Sequence, residues 1–247
     1  MILTDDELDR YARHIVLPQV GGAGQQRLKA ARVAVIGAGG IGSAAIPALA
    51  GAGVGQLTII DGETVDLSNL QRQSLYRTKD VGRSKAELAA TFVAERNPHV
   101  TVRPIAERVD SANAEMLVNG HDLIVDGTDN FATRLLISDS AVRLGIPLVS
   151  AAGQQFQGQV ALFRAKPCFR CFVGDAFDTD ECDTCAELGV LGALTGTVGA
   201  FAALVAIRAI VGIEPDAAGK LYLFDGASLT WRTLNLAADP ACTACGG

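Results

Sequence analysis

Gly37-Ala-Gly-Gly-Ile-Gly42 follows the β-branched run Arg32–Ile36 and precedes a segment of small residues. Glycines Gly37, Gly39, Gly40 and Gly42 permit a tight strand-to-helix turn and close approach of the backbone to a phosphate. A helix N-terminus beyond the turn favours an anion. Asp61 ends the next apolar run, 24 residues after Gly37, where a carboxylate can take ribose hydroxyls. The turn alone points to a nucleotide without saying which one. Asn69, Gln71 and Arg72 then lie just past the acidic strand end, and Lys85 opens the following helix. Hydride transfer needs a nicotinamide pocket and a proton donor. Phosphoryl or nucleotidyl transfer needs cations, because negative charge builds on the α-phosphate and the leaving pyrophosphate. In DGTDN, Asp126 and Asp129 sit at or beyond the carboxyl end of a further strand, where a carboxylate can hold Mg²⁺ against phosphates. The combination favours ATP. A nicotinamide-dependent oxidoreductase on the same turn is the alternative.

All six cysteines fall in C-x-x-C pairs: Cys168/Cys171, Cys182/Cys185 and Cys242/Cys245. Two such pairs make a tetrahedral thiolate zinc site, and three leave one over. Spacing alone favours the two nearest pairs.

The elements that must position these residues follow from pattern. Thr4 and Glu7 fit a capping box for a helix beginning at Asp5. Strand patterns at 32–36, 56–61, 99–105, 122–126 and 146–152 alternate with helical patterns from about Ile41, at 84–97, 111–120 and 131–145. That order predicts an α/β, Rossmann-like, doubly wound, mostly parallel sheet. Pro47 removes a hydrogen bond to Ser43 within the first crossover helix and predicts a kink. Beyond Gly153 the pattern changes to a strand at 158–163 and an antiparallel hairpin of 220–225 with 231–236. No linker or repeat interrupts the chain, so one domain over 1–247 is expected, with a nucleotide-binding half (1–153) and a second half (154–247).

Apolar residues are 49% and charged residues 19% of the 247, with a net charge of −6. This composition is globular, and the acidic balance offers no bulk attraction to nucleic acid or an anionic membrane. The N-terminus has no basic region followed by an apolar one, which argues against a signal peptide and for a reducing, cytoplasmic setting. Leu188–Ile207 is twenty residues without a charge, long enough to span a bilayer. Its glycines and threonines, and the lack of flanking aromatic or basic anchors, favour a helix buried in a soluble core.

RYARHIVLPQ, GAGGIGS, GAGVGQLTIIDGETVDLSNLQRQ, VGRSKAE, DGTDN and the separated C-x-x-C pairs together resemble the MoeB/ThiF/HesA family, bacterial relatives of ubiquitin-activating enzymes. The resemblance covers nearly the whole chain. It implies MgATP-dependent adenylation of the C-terminal glycine of a small ubiquitin-like sulfur carrier ending Gly-Gly, which prepares a thiocarboxylate. On this basis Gly40 and its neighbours line the ATP site and Asp61 binds the ribose. Ser68, Asn69, Gln71, Arg72, Lys85 and Asn130 contact the nucleotide, and Asp129 coordinates Mg²⁺. Arg13 matches an arginine that reaches into the partner subunit's site, which implies a homodimer. The family pattern joins Cys168/Cys171 to Cys242/Cys245 around structural zinc. Cys185 matches a position that can carry a reactive thiol, while Cys182 departs from the pattern. A separate sulfurtransferase is implied as donor. Molybdopterin, thiamine and other sulfur pathways use such enzymes, with a lean toward the molybdopterin type. A relative acting on a modified tRNA base is a further alternative, disfavoured by the acidic charge and the cysteine pairs.

Overall fold

The computed structural model describes residues 2–174 and 189–246. Cys182 and Cys185 therefore lie outside the described residues.

Strands β1 (Arg32–Ile36), β2 (Gln56–Ile60), β3 (Thr101–Ile105), β4 (Leu123–Asp126) and β5 (Leu148–Gln154) are parallel. Strands β6 (Gln157–Phe163), β7 (Lys220–Asp225) and β8 (Thr230–Asn235) continue the sheet antiparallel. The order is β3-β2-β1-β4-β5-β6-β7-β8. The expected mixed α/β sheet is thus observed, and one sheet runs through both halves of the chain.

The central strands β1, β2 and β4 are buried on both faces. Val33 and Val35 face one apolar cluster, whereas Ala34 and Ile36 face the other. Such strands read as continuous apolar runs because helices cover both faces. The first face carries α3 (Gly21–Ala30), α4 (Gly42–Ala52), α5 (Lys85–Arg96) and α9 (Gly192–Val211). The second carries α6 (Ala114–Val118), α7 (Phe131–Leu144) and α8 (Phe169–Val173). Two short helices, α1 (Asp5–Arg10) and α2 (Ala12–Ile15), precede them.

Local chemistry sets the helix ends. Glu7 N–H donates to Thr4 Oγ1 (3.3 Å), and Thr4 N–H donates to Glu7 Oε2 (2.8 Å). The capping box read at Thr4 is therefore present. Its glutamate is buried and also paired with Lys29 Nζ at 2.6 Å. Burial alone would raise the Glu7 pKa, but Lys29 and the Thr4 groups hold it below the usual carboxylate range. The α4 helix continues through Pro47 to Ala52. The helix predicted over 111–120 is shorter, Ala114–Val118.

Residues 192–207 of the long uncharged run lie in α9, and half of that helix's most apolar window is buried in this chain. It packs on α3, α4, β5 and β6. Gly199 lets α9 approach α4, since a Cβ there would collide with the Ile41 carbonyl and meet Ala44 Cβ at 3.0 Å. Because the obstacle is backbone, Gly199→Ala is expected to destabilise the fold by about 1–3 kcal/mol, the usual cost of overpacking. The check is a lower denaturation midpoint with an unchanged slope.

Candidate active site

A cleft of ≈ 760 Å³ opens at the carboxyl ends of the strands. Its walls include the glycine turn, the ends of β2 and β4, and the face of β5–β7. The crevice lies where the strand order reverses between β1 and β4, the position at which open α/β sheets bind ligands.

The turn is held from three sides. Gly37 has φ +86, and its N–H donates to Ile60 O (2.9 Å). A Cβ on Gly37 would stand 3.1 Å from the Gly127 carbonyl group, and one on Gly40 would stand 3.0 Å from Thr195 Oγ1. Tyr76 donates its hydroxyl to Ala38 O (2.7 Å). Burial pushes the Tyr76 phenol pKa up, so that hydroxyl keeps its proton.

Asp61 accepts from Ala38 N–H at one oxygen and from Glu63 N–H at the other, each 2.8 Å. Burial raises its pKa, and the two backbone donors oppose that shift. Each oxygen retains a lone pair for a ligand hydroxyl. Lys85 is only 3% exposed at the side chain, and its Nζ lies 2.7 Å from Glu63 Oε2. Arg108 reaches the other Glu63 oxygen at 3.6 Å. Arg72 and Asn69 complete this wall, and Arg72 Nη1 also donates to Ser68 O (3.2 Å).

On the facing side, Asp126 Oδ1 accepts from Thr128 N–H (3.0 Å) and Oγ1–H (2.7 Å), while its buried Oδ2 has no partner. Burial raises the Asp126 pKa. Asn130 caps α7 through Thr133 N–H (2.9 Å), the task an N-terminal Asp129 could have taken. Asp129 is instead exposed in the cleft wall. Buried Arg134 donates to Thr128 O (2.9 Å) and to Ala151 O, which fixes the loop that carries Asp129.

Of the expected nucleotide residues, Gly37, Gly39, Gly40, Asp61, Asn69, Arg72, Lys85, Asp129 and Asn130 line this one cleft. Gly42, Ser68 and Gln71 are not among its lining residues. Gly42 lies behind the turn, where a Cβ would strike the Gly37 carbonyl. Exposed Ser68 directs its N–H to Asp66 Oδ1 (2.7 Å). Gln71 donates to Val190 O (3.4 Å). Arg13 in α2 lies outside the cleft of its own chain.

Glu63, Tyr76, Arg108 and Arg134 were not singled out by sequence. A signal existed for Arg134, a cation inside the otherwise apolar helical run FATRLL. Glu63 stands two residues after Asp61, but its partner is brought in from α5.

The cleft extends past the nucleotide end. Gln154 and Gln157 are register partners across β5–β6, so they share a face with Gln159, and Leu223 of β7 lies beside them. Five strand spacings separate β2 from β7 in the sheet order, about 24 Å at ~4.8 Å each. A second substrate therefore has room beside a nucleotide.

The cysteines gather elsewhere. Sγ of Cys168, Cys171, Cys242 and Cys245 all lie within 4.8 Å of one another. Cys168–Cys242 is 3.5 Å, Cys168–Cys171 3.9 Å and Cys171–Cys245 3.4 Å. A tetrahedral ion with bonds of ~2.3 Å sets sulfur separations at about 3.8 Å, so the set fits a metal. Its pairing is 168/171 with 242/245, and the nearest-pair arrangement is set aside. Arg170, between the first two cysteines, grips Asp139 of α7 through Nε (2.9 Å) and Nη2 (2.9 Å).

The description "ThiF family" matches residues 11–244. The chain is 44% identical over 241 residues to the "SAMP-activating enzyme E1" of Haloferax volcanii, covering 97% of this chain and 89% of that protein. It is 43% identical over 250 residues to the "Sulfur carrier protein adenylyltransferase" of Thermus thermophilus, covering 98% and 92%. It is 39% identical over 247 residues to the "Molybdopterin-synthase adenylyltransferase" of Salmonella typhimurium, covering 99% and 98%. Among solved structures, E. coli MccB with MccA-N7isoASN superposes with a TM-score of 0.84 at 23% identity over 97% of this chain and 75% of that one, a likeness of fold. A match that begins in the N-terminal helices and ends one residue short of Cys245 leaves no wall of the cleft outside it, and the chain belongs to the ThiF family.

Proposed function

We propose that this protein adenylates the C-terminal glycine carboxylate of a small ubiquitin-like sulfur carrier, with ATP as the second substrate and pyrophosphate as the leaving group. The observation that carries this reading is the single cleft. Asp61, Lys85, Arg72 and Asp129 stand at one end, and an open, glutamine-lined lobe lies on β5–β7 at the other. Relatives matching over nearly their full length bear adenylyltransferase names.

A carboxylate is already a nucleophile, so the reaction needs no base. It needs positioning and charge stabilisation. Asp61 takes the ribose hydroxyls with its remaining lone pairs. Gly37, Gly39 and Gly40 admit the phosphates, and Asn69, Arg72 and Lys85 meet their charge. Asp129, exposed at the cleft wall, is the carboxylate suited to Mg²⁺, an ion that would neutralise charge developing on the phosphates. Arg13 completes a partner subunit's cleft in a homodimer. The four-cysteine set holds structural zinc, and a separate sulfurtransferase supplies sulfur. We place the protein in the cytoplasm, in keeping with cysteines gathered as thiols. The whole chain acts as one adenylation domain.

Pyrophosphate release from MgATP is expected with one carrier ending Gly-Gly and is lost when that carrier's last glycine is removed. Arg72→Ala and Asp129→Asn should each lower turnover by on the order of 10²–10³, as loss of one transition-state charge contact does. Binding of NAD in place of ATP would return the glycine turn to the oxidoreductase reading. Metal analysis should find one zinc per chain, and Cys242→Ser should lose it and lower the thermal midpoint. A full zinc complement in that variant would remove Cys242 from the ligand set.

A further inference from the structure

Lys85 is the most deeply buried of the cations that line the cleft, and its ion-pair partner is Glu63. The same carboxylate draws Arg108 to its second oxygen at 3.6 Å. Arg72 also acts on it electrostatically. Three cations of the cleft wall, two of them assigned to the polyphosphate, thus act on one carboxylate. We infer that Glu63 is a stand-in for the nucleotide polyphosphate: its carboxylate holds Lys85 and must release it when ATP binds. The inference rests on the reading of this cleft as an ATP site.

The backbone is built for a side-chain exchange. Glu63 N–H is held by Asp61 Oδ1 (2.8 Å), and Glu63 O accepts from Lys85 N–H (3.0 Å). Both main-chain groups of Glu63 are fixed, while its side chain is 53% exposed and free to swing toward solvent. Lys85 has the opposite character. It is 3% exposed, and an ammonium so placed needs a counter-charge whether or not a ligand is present. The hydrogen bond from Lys85 holds the Glu63 carboxyl below the usual carboxylate range, and burial opposes it. Glu63 is therefore an anion when nucleotide arrives and competes with it for the same ammonium. It positions Lys85 and opposes polyphosphate binding at once.

The test is calorimetric binding of adenosine, ADP and ATP, each without divalent metal, to the full chain and to Glu63→Gln. The variant should bind ATP more tightly by on the order of tenfold, ADP by less, and adenosine equally, because one half-exposed charge interaction is worth about 1.4 kcal/mol. The gain should shrink in a Lys85→Met background, where there is no ammonium to compete for. Equal or weaker ATP binding by Glu63→Gln overturns the inference, as does a gain that persists in full beside Lys85→Met, which would signal general repulsion. If the unaltered chain binds adenosine and ATP equally poorly, the ATP reading falls and takes this inference with it. If it binds ATP and the variants behave as in either overturning case, only the inference falls.

Discussion

The cleft depends on how closely two backbones meet at the centre of the sheet. β1 and β4 are neighbours, and the turn after β1 presses on the turn after β4 with no side chain between them. Gly37 stands against the Gly127 carbonyl group in a left-handed conformation, and Gly127 N–H donates to Ile36 O (2.9 Å). A glycine is required here by both conformation and space. From this contact the chain diverges on each side, into α4 on one face and α7 on the other. The opening between them is where a ligand fits. Thr195 of α9 closes the floor against Gly40, so the long apolar helix of the second half takes part in shaping the first half's turn.

Charge is distributed in the cleft with matching economy. Acids and bases both line its nucleotide end, and Asp61, Lys85 and Arg134 have protein partners. Asp61 is bound by two N–H groups and Lys85 by Glu63, while Arg134 braces the loop that leaves Asp129 outside. The other lobe carries neutral amides. A polyphosphate suits the first environment, and an extended peptide tail suits the second, since glutamine side chains can both donate to and accept from a main chain.

The sheet was legible in the chain because β1, β2 and β4 are short apolar runs that end at Gly or Asp, and each crossover is long enough for a helix. The nucleotide end was legible for a related reason. Gly37, Asp61 and Asp129 stand just past strand ends, where sequence position and spatial position coincide. What escaped is what only tertiary contact creates. Tyr76 pins Ala38 across 38 residues, and Arg134 reaches Ala151 through the interior. The α3 helix is glycine-rich at its start and gave little helical signal, yet it is held by packing against α9. The side-chain partner of Gln71 escaped for the same reason. Its position beside Arg72 suggested a shared ligand, but its side chain turns to Val190, 119 residues away. Chain spacing alone pointed to the nearer cysteine pairs, whereas the family pattern implied the set whose four Sγ atoms gather here.

The distance along the chain between the two cysteine pairs has a consequence in time. Cys168 and Cys242 are 74 residues apart. During synthesis at ~5–20 residues per second, roughly 4 to 15 seconds separate the appearance of the first pair from that of the second. Through that interval Cys168 and Cys171 are a dithiol without its complement. It is exposed to oxidants and to whichever soft metal the ribosome's surroundings offer, while α9 and the β7–β8 hairpin are still being made. Completing the sulfur set therefore requires early thiols that are still reduced when the late ones arrive.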